Sequence, residues 1–299
     1  MSEISSLVAK NTPASVKDLF MYSWGLYKKN WKTYVKSSLL IGASVVAIML
    51  VVMMLFAVST FASDVTGDDS EMITTLAGVL AGVIMVACIL PASFFWAAML
   101  PVSAVKADAE NVTTKEILKA TKDAVRSLTI VFLQRGIICF FALFLLIIPS
   151  IILQIRYAFA PFVYLVDGQR GMKALAGSRD IMRGFSWFFV WRMLPTFLVG
   201  FAIGLAGTVG SLISIFVWPL VYTLYVYGMF LNIRSMKAAG MQTDGFTTKK
   251  KMVAAGCYFG LIAVSLAIFL IISLPAAFND RFGQDFENTI QGYPANTNV

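Results

Sequence analysis

The sequence predicts an all-α protein, a polytopic bundle of transmembrane helices with about seven spans. Hydrophobic residues make up 59% of the 299 positions, charged residues only 13%, and the mean hydropathy is +0.79, values typical of a chain embedded in a membrane. Several apolar runs approach the roughly 20 residues that a helix needs to cross the hydrocarbon core. The basic residues are concentrated between alternate runs, which indicates an orientation as well as a fold class.

Seven apolar runs are predicted to span the membrane. They cover residues 37–62, 72–105, 136–148, 151–166, 193–207, 209–233 and 252–278. The third run is short unless residues 128–134 extend it, and the fourth is interrupted by Arg156 and Pro161. Residues 1–278 are therefore predicted to form one integral-membrane helical domain, and the polar residues 279–299 to form a disordered tail.

Lysine and arginine at the ends of the spans predict which side faces the cytoplasm. Residues 1–36 carry six of them, and residues 106–126, 170–192 and 234–251 carry five each, whereas residues 63–71 carry four acids and no base. Seven crossings put all four basic segments on the cytoplasmic side, with the N-terminus inside and the C-terminus outside. The alternative is six crossings with a re-entrant fourth segment. Either topology predicts a multi-pass protein of the cell inner membrane.

A weak internal repeat relates two of the basic segments. Four positions recur with an offset of 156, so that Lys17, Leu19, Trp31 and Lys36 correspond to Lys173, Leu175, Trp187 and Arg192. The repeat-like halves cover about residues 12–105 and 168–235. A weaker third copy begins at Thr113 and has a base, Arg135, just before its apolar run. In each copy an amphipathic lead helix is predicted to precede a span.

The predicted lead helices lie near residues 16–31, 114–126 and 172–185. The first is expected to begin at Thr12, and the second has four bases at helical spacing and a T-x-x-E capping box that starts at Thr113. Such amphipathic helices are typical of the cytoplasmic membrane interface, where cations meet headgroup phosphates. The predicted lipid-contact residues are Lys17, Lys115, Lys119, Lys122, Arg126, Lys173, Arg179 and Arg183.

Arg156 is the most unusual residue because a permanent charge inside a span costs a few kcal/mol on insertion scales. Its alternative partners are backbone carbonyls, Gln154, an acid at the outer end of a span or a lipid phosphate. We expect Arg156 to be a structural clamp, buried against neighbouring spans near the outer third of the bilayer. The alternative is a binding site for an anionic ligand. Asp167, at the other end of this run, is expected to pair with Arg170 or Lys173.

The composition disfavours several functional classes. The sequence has no histidine, which excludes an imidazole base, proton shuttle or metal ligand. Its three cysteines lie inside apolar runs without CxxC spacing, which favours packing roles over a disulfide or a zinc site. The sequence therefore predicts no catalytic residue, no metal and no cofactor. The net charge of +8 is dispersed around apolar segments, which favours anionic lipid over nucleic acid as a partner.

Small residues form GxxxG pairs in three different predicted spans. The pairs are Gly78 with Gly82, Gly200 with Gly204, and Gly256 with Gly260. A glycine pair one turn apart lets two helix backbones approach closely. The pairs therefore predict either packing within the bundle or self-association of the chain.

The stretch from Ile148 to Gly184 carries several short motifs. They are an Ile-Pro turn, an Arg-aromatic pair, an apolar run that ends in an acid and glycine, and an Ala-x-x-x-Ser-Arg segment closed by Arg-Gly. The residues are Ile148, Pro149, Arg156, Tyr157, Asp167, Gly168, Ala174, Ser178, Arg179, Arg183 and Gly184. In these motifs and in its N-terminal lead the chain resembles the membrane domain found ahead of bacterial glycerophosphoryl diester phosphodiesterases, and related stand-alone polytopic proteins. It differs at Asp167, where that group usually has glutamate, and at Ser150, where it usually has glycine.

The resemblance implies a membrane module without its enzymology, because the soluble phosphodiesterase domain is not part of this sequence, and a fold-level analogy supplies no reaction. We therefore expect a non-enzymatic module that organises anionic lipids or partner proteins, a second copy of the chain included. The alternative is a transporter or lipid-handling carrier with Arg156 at an anionic-ligand site. An intramembrane enzyme ranks last, because without histidine only a lysine or an acid could act as the general base of a nucleophile, and none lies near a cysteine in the sequence.

Overall fold

The computed structural model describes residues 12–66, 70–107, 112–145, 147–204 and 217–241, together with residues 207, 210 and 213. These residues form α-helices joined by short connections, and none of them lies in a strand. The helices are α1 (Val16–Thr66), α2 (Ser70–Ala107), α3 (Thr114–Leu145), α4 (Ile147–Arg156), α5 (Ala160–Asp167), α6 (Met172–Met182), α7 (Ser186–Gly204) and α8 (Trp218–Ala238). The predicted all-α class is confirmed for this part of the chain.

Four segments of the described chain are long and apolar enough to cross a membrane. They are Ile89–Ala107 in α2, Thr114–Ala142 in α3, Pro149–Asp167 across α4 and α5, and Ser186–Gly204, which is α7. They overlap the second to fifth predicted spans, and the third is lengthened at its N-terminal end. The first predicted span lies within α1 and the sixth overlaps α8, but neither is among these four. The last predicted span and the tail lie outside the described residues, so seven spans stay a prediction.

Two of the predicted lead helices are not separate elements. Residues 16–31 are the first turns of α1, and residues 114–126 are the first turns of α3, each running without a break into the apolar sequence that follows. Unbroken helices curve only gently, so these leads share the direction of the helix that follows them. Only the third lead, α6, is a helix of its own. An interfacial orientation of the leads is therefore not confirmed.

The two predicted helix starts have different outcomes. At α3 the amide of Thr113 donates to Oε2 of Glu116 (3.0 Å) and the amide of Glu116 donates to Oγ1 of Thr113 (3.3 Å), which confirms the capping box. The start at Thr12 is wrong, because the reciprocal pair forms between Ser15 and Asp18, at 3.1 Å in both directions. The amides of Ser15 and Asp18 are thereby paired at the start of α1, and the helix begins at residue 16.

Aromatic side chains fill the core where α5, α7 and α8 meet. Phe159, just before α5, is fully buried and packs edge-on against Phe189 and Phe230, with 5.3 and 5.6 Å between ring centroids. Each such pair contributes about 0.5–1.5 kcal/mol beyond its buried area. α1 joins this core through Tyr22, which lies so close to Gly228 of α8 that a Cβ there would be 2.8 Å from the Tyr22 ring. The short helix α5 is thus anchored at its first turn.

The predicted glycine pairs have different surroundings. A Cβ at Gly200 would lie 2.8 Å from Nε1 of Trp218, so this glycine lets α7 approach the start of α8. At Gly82 and Gly204 a Cβ would meet nothing within 4 Å in the described part of the molecule. The third pair lies outside the described residues. Among Gly82, Gly200 and Gly204, close packing is therefore found at Gly200, and self-association stays a prediction.

Candidate functional site

The fourth predicted span is broken directly after its arginine. α4 ends at Arg156, residues 157–159 form a turn, and α5 begins at Ala160 with Pro161 in its first turn. A break of this kind leaves backbone groups without helical partners. Here one hydroxyl serves both sides of the break, because Ser178 of α6 donates to the carbonyl of Arg156 (2.8 Å) and accepts from the amide of Phe159 (3.1 Å).

Glycines allow α6 to fold back along α5. Gly168 ends α5 with φ +68°, and Gly171 precedes α6 with φ +56°, both positive values that glycine adopts readily. Along the contact, a Cβ at Gly177 would lie 2.9 Å from Cγ1 of Val163, so the two helices touch closely there. This return path is what carries Ser178 to the break in the fourth span.

A cavity of about 550 Å³ lies between the end of α4 and α6. Three arginines line it: Arg156 at the end of α4, Arg179 on α6 and Arg183 in the turn that follows α6. Asp180 is the one acid on the lining, so three positive charges and one negative charge leave it with a net charge of +2. Among the described residues the one ion pair lies elsewhere, so none of these guanidinium groups has a carboxylate within 4.0 Å.

Arg156 differs from the expectation of a buried clamp. Its side chain is exposed in the structure. It lines the same cavity as Arg179 and Arg183, which belong to a segment predicted to be cytoplasmic. The expectation assumed one unbroken span, whereas the turn at residues 157–159 and the return of α6 bring a basic helix beside Arg156. Of the predicted site residues, the structure therefore brings these three together.

Gln154 does not join them. Side chains two positions apart on a helix point to different faces, and Gln154 lines a second cavity, of about 480 Å³, together with Arg135, Cys139 and Ser150. There Nη2 of Arg135 donates to the carbonyl of Gln154 at 3.4 Å, and the hydroxyl of Ser150 donates to the carbonyl of Cys139 at 3.0 Å. Both hydrogen bonds join α3 to α4, and they are consistent with a structural role for this second cavity.

Asp167 has a different partner from the one expected. Its Oδ1 lies 2.8 Å from Nη2 of Arg234 on α8, and not beside Arg170 or Lys173. The side chains are 23% and 45% exposed, respectively, so the pair is partly solvated. Arg234 also lies over the ring of Phe230, with 5.9 Å from its guanidinium carbon to the ring centroid. The ion pair ties the end of α5 to α8.

All eight predicted lipid-contact residues are exposed. Four of them share one face of α3, and the opposite face is buried, with Ile117 and Leu128 both at 0% exposure. Leu128 belongs to a small cluster with Ala98 and Val102 of α2. The apolar side of this helix is therefore covered by the bundle rather than by acyl chains. Lys17 of α1 and Lys173 of α6 are exposed away from the cavity lining.

A polar clamp holds the N-terminal segment. Asn232 of α8 is fully buried, its Nδ2 donates to the carbonyl of Thr12 and its Oδ1 accepts from the amide of Ala14, both at 3.0 Å. Nε of Arg192 donates to the carbonyl of Ala14 at 2.7 Å, and its guanidinium carbon lies 3.6 Å from the centroid of the Phe188 ring. In each of these hydrogen bonds the two partners are separated by 178 to 220 positions in the sequence. Together they fix the segment just before α1.

Sequence reasoning missed the roles of three polar residues. The Ser-Arg motif marks Ser178 and the third repeat copy marks Arg135, but neither pattern predicts a contact partner. Asn232 has no sequence signal, because a single asparagine on a helix is equally compatible with an exposed position. Its partners lie more than 200 positions away, and only the packing of α8 against the segment before α1 reveals them.

Comparison with known protein families, characterised proteins and solved structures finds no match for this chain. In the described residues, no group of three or more Cys, Asp or Glu side chains is placed to hold a metal ion. The features available for assigning a function are therefore the apolar helices, the cationic face of α3 and the arginine-lined cavity.

Proposed function

We propose that the chain is an integral membrane module that organises anionic lipids on its cytoplasmic side, without a catalytic centre of its own. The cationic face of α3 carries this proposal. Its four bases are Lys115, Lys119, Lys122 and Arg126, and all of them are exposed. A lysine or arginine near an anionic membrane surface contributes about 1 kcal/mol of attraction, so four on one face favour anionic headgroups strongly.

The length of α3 supports this arrangement. α3 has 32 residues, and at about 1.5 Å per residue it extends roughly 48 Å. The hydrocarbon core is only about 30 Å thick, so a spanning α3 projects beyond it. The charged residues 114–126 are the end that projects. Their side chains then stand among and beyond the headgroup phosphates, instead of lying flat along the leaflet.

The proposed orientation follows the positive-inside rule. The N-terminus and the cationic end of α3 lie in the cytoplasm and the C-terminal tail lies outside the cell inner membrane. A reporter that is active only in the cytoplasm, fused after Val299, should be silent. A strong signal there would overturn this orientation.

The lipid experiment compares the lipids that co-purify with the full chain. In the test variant Lys115, Lys119, Lys122 and Arg126 are replaced by glutamine, and in the matched control the three lysines are replaced by arginine, which keeps the charge. Lipid mass spectrometry should show a several-fold loss of anionic-lipid enrichment in the glutamine variant and none in the control. Unchanged enrichment in the glutamine variant would show that these cations serve orientation alone, and the proposed function would be rejected.

A second candidate function, a carrier for an anionic ligand, is supported by the arginine-lined cavity. Its volume of about 550 Å³ falls in the range of small-molecule sites, roughly 300–1,000 Å³. The broken fourth segment is also the kind of irregular backbone that transporters place at their binding sites. The lipid experiment on α3 does not test this cavity, which needs an experiment of its own.

A further inference from the structure

We propose that the cavity between α4 and α6 binds a phosphate group, with Arg156, Arg179 and Arg183 as its donors. The three arginines come from three different elements and line one cavity of about 550 Å³. Like charges brought to one place repel each other, and an anion among them offsets that repulsion. The described chain supplies no such anion within 4.0 Å of the three guanidinium groups.

The charge of the lining favours a phosphomonoester over a carboxylate. With three arginines and one aspartate, the lining carries a net charge of +2. A phosphomonoester carries about −1.5 to −2 charges at pH 7 and three strong acceptor oxygens. The planar guanidinium fork binds phosphate oxygens two at a time. A carboxylate, with one charge and two oxygens, would leave the lining positive and at least one arginine unused.

The backbone around the cavity holds the arginines in place without using their side chains. Ser178 donates to the carbonyl of Arg156 at 2.8 Å, which fixes α6 against the end of α4. Near the end of α6, the carbonyl of Asp180 accepts hydrogen bonds from the amide of Arg183 (3.2 Å) and from Nζ of Lys237 on α8. The backbone that carries the arginines is therefore held in place, so binding orders their side chains but needs little ordering of the backbone.

Two sources of a phosphate group fit this chemistry. The lining includes the apolar side chains of Met172 and Leu175 beside the arginines, which suits a lipid whose headgroup is a phosphomonoester. Free inorganic phosphate satisfies the same arginines without using the apolar part. The experiment therefore has one arm for each source.

This site is separate from the cationic face of α3, because the residues that line it come from α4, α6, the start of α7 and the turns beside them. The inference does not rest on the proposal for α3; it deepens the second candidate function, a carrier for an anionic ligand, by naming a phosphate group as the ligand. Loss of lipid enrichment in the α3 variant leaves the cavity intact, and loss of phosphate binding in a cavity variant leaves the α3 face intact. Failure of one proposal is thus distinguishable from failure of the other.

The experiment uses the purified full chain. One arm titrates inorganic phosphate into the protein in detergent and follows binding by calorimetry, and the other measures retention of phosphatidic acid in nanodiscs of phosphatidylcholine by native mass spectrometry. The test variant is R156Q/R179Q/R183Q. The matched control, K28Q/K29Q/K32Q, removes the same number of positive charges from exposed positions of α1 that lie outside the cavity lining and are not among the predicted lipid contacts. We expect at least tenfold weaker binding in the test variant and less than a twofold change in the control.

Binding of phosphatidic acid alone assigns the site to a lipid headgroup, and binding of inorganic phosphate alone assigns it to a soluble ligand; both results support the proposal. The single variant R179Q, at an exposed position of α6, provides a test if the triple variant does not fold. We expect it to weaken binding at least threefold and to leave the circular dichroism spectrum unchanged. Absence of binding to both probes by the wild type would overturn the proposal. Equal loss of affinity in the test variant and the charge-matched control would overturn it as well.

Discussion

The two copies of the weak repeat differ at the join between lead and apolar helix. In the first copy, lead and apolar sequence form one helix, α1, which runs through Lys28 without a break. In the second copy the chain breaks after α6, at the corresponding residue Gly184, and resumes as α7. The copies otherwise match at their shared leucine, because Leu19 and Leu175 are buried at 0% and 1% exposure.

The residue at the join explains the difference. Lysine is a good helix former, so nothing interrupts α1 at Lys28. Gly184 has φ +87°, a backbone conformation that costs an L side chain roughly 1–2 kcal/mol. The second copy therefore turns where the first continues.

The break in the second copy contributes part of the cavity lining. α6 folds back on α5 through the turn at Gly168 and Gly171, and its Ser178 reaches the break after Arg156. The turn after α6 then places Arg183 and Gly184 on the cavity lining together with Arg156 and Arg179. The turns on either side of α6 thus make a lead helix part of a candidate site.

The largest effect that tests this comparison is expected at Ser178. Replacing Ser178 with Ala removes the hydroxyl that serves the carbonyl of Arg156 and the amide of Phe159. Because each buried backbone group left without a partner costs roughly 1–3 kcal/mol, we expect the free energy of unfolding to fall by about 1–3 kcal/mol after partial relaxation. Unfolding of the purified protein in detergent, followed by circular dichroism, measures the loss.

Ser23 is the matched control for this change. It is also fully buried, but its hydroxyl donates to the carbonyl of Leu19 four residues earlier in α1 (2.7 Å), which already lies in the helical ladder. Replacing Ser23 with Ala should therefore cost less than about 1 kcal/mol. Equal losses at the two serines would show that the break needs no support from α6.

The fold class was predictable because hydropathy and charge are summed over long stretches. Twenty apolar residues indicate a spanning helix whatever their order, so predicted spans overlap the apolar segments in α2, α3 and α7. Their bounds were less accurate, since the third predicted span shares only residues 136–142 with the segment Thr114–Ala142. The start of α1 was not predicted correctly, because Thr12 and Ser15 both offer a capping side chain and the choice depends on Asn232 and Arg192, more than 170 positions away. Local patterns do not contain that information.

The candidate site was predictable in its residues but not in its assembly. Arg156, Arg179 and Arg183 stand out in the sequence as an arginine in an apolar run and as bases of an amphipathic helix. Their meeting depends on a three-residue turn inside an apolar run and on glycines with positive φ. A hydropathy window averages over such a turn and therefore predicts one straight span. The pairing of Asp167 with Arg234 was missed because Arg170 is closer in the sequence, whereas the partner is set by the packing of α8.

Gly184 offers a second test of the comparison. Replacing it with Ala forces a side chain into φ +87°, and we expect a loss of about 1–2 kcal/mol in the free energy of unfolding. Gly136, in the middle of α3, is the control, because a Cβ there would meet nothing within 4 Å. Replacing Gly136 with Ala should stabilise the helix by up to about 1 kcal/mol. Thermal unfolding should show shifts of opposite sign, and the same sign would contradict the role given to the turn.

Arg192 tests a position where the copies differ in residue type, since the first copy has Lys36 there. Replacing Arg192 with Lys keeps the charge but loses the planar group over Phe188 and the hydrogen bond from Nε to Ala14. We expect a loss of about 1 kcal/mol and faster proteolysis before residue 16. Replacing the exposed Lys36 with Arg should change neither. If replacing Arg192 with Lys changed neither the stability nor the rate of proteolysis, the positive charge alone would be enough to hold the N-terminal segment.

The smallest effect is expected at the ion pair between Asp167 and Arg234, which joins α5, the helix just before the second copy, to α8. Asp167 and Arg234 are partly exposed, and solvated pairs of this kind contribute about 0.2–1 kcal/mol. A double-mutant cycle of Asp167→Asn with Arg234→Gln should therefore give a coupling of that size, decreasing in high salt. The matched cycle of Asp167→Asn with Arg170→Gln should give no coupling, because Arg170 precedes α6 and lies outside the pair in the structure.

A coupling to Arg170 as large as that to Arg234 would favour the local pairing that the sequence predicts. It would also mean that the end of α5 is held by the turn before α6, in which case α8 would contribute little to the position of the cavity.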